Sequence, residues 1–165
     1  MNTNRLETSI ETFTKASEIL EKASDEGLKK LSALRKPNNV IHLKDITNKG
    51  DKTERTLEAS QRIPSLVLLA LSVEMQFKLN IFNETGKEPR IHGLKKLFNS
   101  LSSKSQLKVQ NTIEKNLNLS SSEFDLALDE NDQVFINWRY LHESNKTNNA
   151  GIAFLKELMH NLKEI

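Results

Sequence analysis

The chain has 165 residues, 36% hydrophobic and 28% charged, which suits one domain with a single core under a charge-rich surface. A formal net charge of +2 creates no strong global field, so nucleic acid is neither demanded nor excluded. There is no cysteine, which rules out disulfides, thiolate metal sites and cysteine nucleophiles in this chain. Five glycines and three prolines leave long stretches unpunctuated, as helices require.

Residues 4–35 carry Leu6, Ile10, Phe13, Ala16, Ile19, Leu20, Ala23, Leu28, Leu31 and Leu34, mostly at three- and four-residue steps. That spacing predicts a long amphipathic helix. Gly27 is a candidate kink, and Lys36-Pro37-Asn38-Asn39 ends the element. A polar stretch follows and reads as an exposed loop over residues 36–55, with His42 on its surface. A second helix is expected from near Thr56 or Pro64 to about Asn83. After the connection "ETGKEPRIHG", "LKKLFNSL" puts Leu94, Leu97, Phe98 and Leu101 on one helical face. "SQLKVQNTIEKNL" offers Leu107, Ile113 and Leu117 as anchors. Ser120 and Glu123 form a capping box before Phe124 and Leu128. "NDQVFINWRYLHES" has Phe135, Trp138 and Leu141 or His142 at helical spacing. The last helix carries Ile152, Leu155, Leu158, Met159, Leu162 and Ile165, with His160 as a surface residue.

From Leu71 to Leu79 apolar and polar residues alternate strictly, the pattern of a half-buried strand. A lone strand would have no partner, and the unbroken stretch is too long for a typical one. Wrapped on a helix, the residues sort into four stripes. Leu71, Met75, Leu79 and Phe82 make one apolar stripe; Val73, Phe77 and Ile81 make another, nearly opposite. Ser72, Gln76 and Asn80 lie between them on one side, Glu74 and Lys78 on the other. Two apolar flanks mark a central bundle helix, whose polar rows then sit in crevices or at an interface.

Two clusters could carry chemistry. Glu74 and Lys78 are spaced i, i+4 in the favourable order for a helix ion pair, or could line a groove where Lys78 meets a phosphate. On a helix, Arg139, His142 and Glu143 share a face. A forked guanidinium suits phosphate, and an imidazole moves protons near neutral pH. Alternatively, Trp138 packs in the core and Arg139–Glu143 ties the helix down. His92 reads as a helix-start or capping residue. Metal-ligand spacings, phosphate-binding glycine loops and serine-nucleophile elbows are not found. The apolar run "IPSLVLLALSVEMQF" is interrupted by Ser72 and Glu74, so no membrane span is expected. The N-terminus lacks the apolar block of a signal peptide, which makes the cytoplasm the expected location.

"LALSVEMQFKLNIF", "RIHGLKKLFNSL" and "FINWRYLHES", in that order, resemble the HEPN (higher eukaryotes and prokaryotes nucleotide-binding) superfamily over about residues 60–145. The matching positions are Ser72, Glu74 and Lys78, then His92, Leu94 and Leu97, then Trp138, Arg139, Tyr140 and Glu143. The resemblance implies an all-α, up-and-down bundle of about five to seven helices in one domain, often a homodimer. It also implies roles in toxin–antitoxin modules or antiviral defence, with a cognate antitoxin or defence-system protein as partner. Many members are metal-independent ribonucleases with a late Arg-x(4–6)-His motif. Here the formal match, Arg35 to His42, straddles a helix end and Pro37; Arg139 to His142 and Arg90 to His92 are shorter. The expectation is therefore a non-catalytic module that binds RNA, a nucleotide or a partner protein without metal or cofactor. Glu74, Lys78, His92, Tyr140 and Glu143 are its candidate ligand-binding residues. One alternative is a metal-independent endoribonuclease toxin using Arg139 and His142; another is a purely structural adaptor.

Overall fold

The computed structural model describes residues 2–32, 61–132 and 151–165. Among the described residues there are six α-helices and no strand. They are α1 (Thr3–Ser32), α2 (Arg62–Thr85), α3 (Leu94–Asn99), α4 (Ser103–Leu117), α5 (Ser121–Glu130) and α6 (Ile152–Leu162). The fold class is thus all-α. The expected loop over 36–55 and the segment around Trp138 lie outside the described residues.

The alternating stretch is helical and lies in the middle of α2. Pro64 is the third residue of that helix, where a missing N–H leaves no intrahelical bond unmade. Gly86 ends it in the left-handed conformation, φ 69°, and donates its N–H to Phe82 O at 2.7 Å. A left-handed C-terminal residue without a Cβ carries no steric penalty there. The two apolar flanks of α2 are unequal. Val73, Phe77 and Ile81 are buried, whereas Leu71, Met75 and Phe82 are half-buried and only Leu79 of that stripe is enclosed.

Helix α1 packs antiparallel along α2. Ser17 Oγ donates to Ser65 O at 2.8 Å, and Arg62 at the start of α2 reaches Glu21 at 3.1 Å and Asp25 at 3.0 Å further along α1. Buried Ser17, Ser24 and Gly27 line the α1 side, small enough for the two backbones to approach closely. Gly27 stands inside a continuous helix. The buried positions Ile10, Ser17 and Ser24 recur every seven residues, so Ile19, two residues past Ser17, points about 160° away. It is 69% exposed, against the expectation of a core residue. Leu107 is likewise exposed at 59%, because the buried face of α4 is set by Val109 and Ile113, one turn apart. A chain of aromatic contacts joins three helices: Phe98 of α3 lies 5.4 Å from Phe124 of α5, which lies 5.6 Å from Phe154 of α6.

Helix α2 is long and apolar enough by composition to cross a membrane, and 67% of its most apolar window is buried inside the protein. Its buried residues include Ser72, Glu74, Gln76 and Asn80.

The starts of α4 and α5 are capped by side chains. On α5 the expected capping box forms, with Ser120 N–H donating to Glu123 Oε2 at 2.7 Å and Glu123 N–H donating to Ser120 Oγ. The start of α4 is gathered by Glu84 from the end of α2. Its carboxylate accepts from Ser102 N at 2.7 Å, from Ser102 Oγ at 3.0 Å and from Ser105 Oγ. Burial pushes the Glu84 carboxyl up, but the hydrogen bonds from Ser105 and Ser102 outweigh it and hold the group below its ordinary value of 4.5. A carboxyl held down in the folded state stabilises the fold above its unfolded value and loses that contribution as pH falls through the folded value. Urea midpoints measured downward from pH 5 should therefore fall more steeply for the wild type than for Glu84→Gln, with the two curves converging in acid. Parallel curves would refute this role.

Candidate functional site

Glu74 and Lys78 stand one turn apart on α2, so their side chains meet without help from another element. Lys78 Nζ lies 2.8 Å from Glu74 Oε1. The same oxygen receives His92 Nδ1 at 2.9 Å, from the connection that precedes α3. An ionised carboxylate only accepts, so Nδ1 carries the proton and Nε2 is left for the surroundings. Lys78 Nζ and His92 Nδ1 are 3.5 Å apart, two donors converging on one acceptor. The three side chains differ sharply in exposure: Glu74 6%, Lys78 18%, His92 66%. The acid is the buried root of the cluster and the imidazole its surface.

His92 stands at the start of α3, one residue before the cap, and does not itself cap the helix. The cap position belongs to Gly93, which makes no side-chain cap. The first amides of α3 are satisfied from α5's end instead. Leu94 N–H donates to Asp132 O at 3.2 Å and Lys95 N–H to Asp132 Oδ1 at 2.7 Å. Lys95 Nζ also grips both carboxylate oxygens of Asp129, at 2.6 and 2.7 Å. These bonds fix where α3 starts, and hence where the residue two positions earlier can reach.

The neighbouring Asn131 joins two more helix ends. It is buried, donates Nδ2 to Ala127 O at 2.8 Å, and accepts the Gly151 N–H on Oδ1 at 3.0 Å. Sequence reasoning missed this corner, having assigned Asn131 and Asp132 to the start of the next helix. The available signal was an asparagine immediately after a capping-box helix, a residue type suited to helix ends.

The remaining polar row of α2 is satisfied internally. Ser72 Oγ donates to Leu68 O at 2.8 Å. Gln76 Nε2 donates to Asn80 Oδ1 at 3.0 Å, and Asn80 Nδ2 donates to Leu162 O at 2.6 Å, capping the end of α6. Of the sequence-predicted site residues, the structure thus brings Glu74, Lys78 and His92 together. Arg139, Tyr140, His142 and Glu143 lie outside the described residues, as does His42. His160 is exposed on α6, as expected. Among the described residues no group of acidic or histidine side chains could hold a metal ion.

In comparisons with known proteins the chain matches no family model, no curated protein and no solved structure.

The cluster has an asymmetric energetic signature. A buried ion pair is often no more stable than apolar residues of similar volume, but removing one partner strands the other charge. Lys78→Met should therefore cost about 3 kcal/mol in denaturant unfolding, and the double variant Glu74→Leu/Lys78→Met should recover most of that loss. Equal costs for the single and double variants would show that the carboxylate is not held by the lysine.

Proposed function

We propose that the chain is a HEPN-like helical module that binds RNA or a nucleotide, with Lys78 and His92 meeting a phosphate and Glu74 holding them in place. The observation that supports this is one carboxylate oxygen, almost wholly buried, with a lysine ammonium and a histidine ring drawn to it at the surface. Folding does not need the pair, since apolar side chains in place of both Glu74 and Lys78 would satisfy the core equally well. A lysine ammonium beside a largely exposed imidazole fixed in direction suits recognition of a phosphate. The sequence resemblance adds the expected setting, prokaryotic antiviral defence or a toxin–antitoxin system, with a homodimer and a cognate antitoxin or defence-system protein as partners.

The module is proposed as non-catalytic. The endoribonuclease alternative relies on Arg139 and His142 at a spacing shorter than the family motif, and the adaptor alternative makes no use of the exposed imidazole. The test is fluorescence anisotropy with a labelled single-stranded RNA, with competition by ATP. Lys78→Ala should weaken binding by roughly tenfold, the loss of about 1.4 kcal/mol, while Lys115→Ala on α4 leaves it unchanged. Light scattering on the same sample should give a dimer mass. In EDTA the RNA should remain intact. Absence of RNA and nucleotide binding at high protein concentration refutes the proposal, and cleavage that disappears in Arg139→Ala or His142→Ala replaces it with the enzyme.

A further inference from the structure

We propose that the Glu74–Lys78–His92 cluster takes a phosphate group only when His92 is doubly protonated, so that ligand binding is coupled to one proton. This rests on the reading of the cluster as a phosphate site and adds the condition under which the site works.

One hydrogen bond sets which nitrogen of the ring faces outward. Glu74 Oε1 accepts from His92 Nδ1 at 2.9 Å, and the acid is buried on α2, so the proton of the neutral ring is held on the inner nitrogen. Neutral His92 therefore presents a lone pair at Nε2. A phosphate oxygen also presents lone pairs, and the two repel. Taking up a proton turns Nε2 from acceptor to donor on the most exposed side chain of the cluster. It also changes the charge. Glu74 and Lys78 cancel as a pair, so the cluster is neutral with neutral His92 and carries one positive charge with the imidazolium. Lys78 alone does not fill the role, because its side chain is only 18% exposed and its ammonium already lies 2.8 Å from Glu74.

The charged groups around His92 come from α2, from its own connection, from α3 and from the end of α5. On α2 its neighbours are Glu74 and Lys78. In the connection, Arg90 precedes it; on α3, Lys95 is held by Asp129 of α5, and Lys96 is exposed. Asp132 uses its carboxylate and carbonyl on the first amides of α3. Imidazole is the side chain whose ordinary charge change falls between about pH 5 and 8. Carboxylates and ammonium groups ordinarily titrate outside that window.

The experiment is a pH series of RNA binding by the full chain, from about pH 5.5 to about pH 8. The probe is a short labelled oligouridylate without a terminal phosphate. Its diesters and bases keep one charge state across the range, so a pH dependence belongs to the protein. Affinity should fall as pH rises, approaching tenfold per pH unit at the upper end, where one proton must be taken up to bind. His92→Gln should bind weakly with no slope, while keeping the wild-type far-ultraviolet circular dichroism because the side chain is exposed. His160→Gln should keep the slope. Lys78→Ala should weaken binding at every pH and keep the slope too. Tight binding with a flat profile in the wild type, or a surviving slope in His92→Gln, overturns the proton coupling and leaves the phosphate site standing. Absence of binding at every pH overturns the phosphate site itself, and the coupling with it.

Discussion

Helix α2 is enclosed along most of its length, and an enclosed helix with polar side chains must find each of them a partner. Four such residues fall in nine positions: Ser72, Glu74, Gln76 and Asn80. Ser72 turns back onto its own helix, a short-range solution that asks nothing of the neighbours. Gln76 and Asn80 work as a relay that ends on the last carbonyl of α6, so a polar row inside the core becomes a fastener for the C-terminal helix. Glu74 is the demanding case, because a buried charge needs donors as well as a countercharge. Lys78 on the same helix and His92 from the far side of the α2–α3 connection meet that need together. The packing of α6, and the course of the chain after α2, both follow from how these side chains are satisfied.

The placement of His92 illustrates how a surface group acquires a fixed direction. Exposed side chains normally sample several rotamers, and fixing one has an entropic cost. Here the ring is held at one nitrogen by a buried acid, while the backbone three residues on, at Lys95, is held by the Asp132 carboxylate. Both anchors are strong hydrogen bonds to carboxylates. The imidazole is therefore preset, which reduces the ordering needed when a ligand arrives.

How far the sequence could be read depended on whether a position was marked by its hydrophobicity. The helical nature of 71–79 was legible because length and missing turn signals outweighed the alternation. The capping box at Ser120 was legible because it is a local four-residue pattern. Ile19 was misplaced because the buried face of α1 is led by Ser17 and Ser24, which carry little hydrophobic signal, and Leu107 because Val109 and Ile113 set the buried face of α4 without it. Glu74 and Lys78 could be paired from spacing alone, but His92 could not be added to them. That contact crosses 18 residues and depends on where α3 begins, which is set in turn by Asp132. Non-local hydrogen bonds between helix ends leave no periodic trace, so the whole corner was invisible before the fold was known.

That corner bears on how the protein can change. Asn131 and Gly151 are joined by a direct hydrogen bond, so the chain leaves α5 and enters α6 at almost the same point. One side chain serves both helix ends: Asn131 Nδ2 closes the last turn of α5 and its Oδ1 takes an amide at the start of α6. Replacing that carboxamide would orphan a carbonyl on one helix and an N–H on the other at once, so the register between α5 and α6 hangs on a single residue.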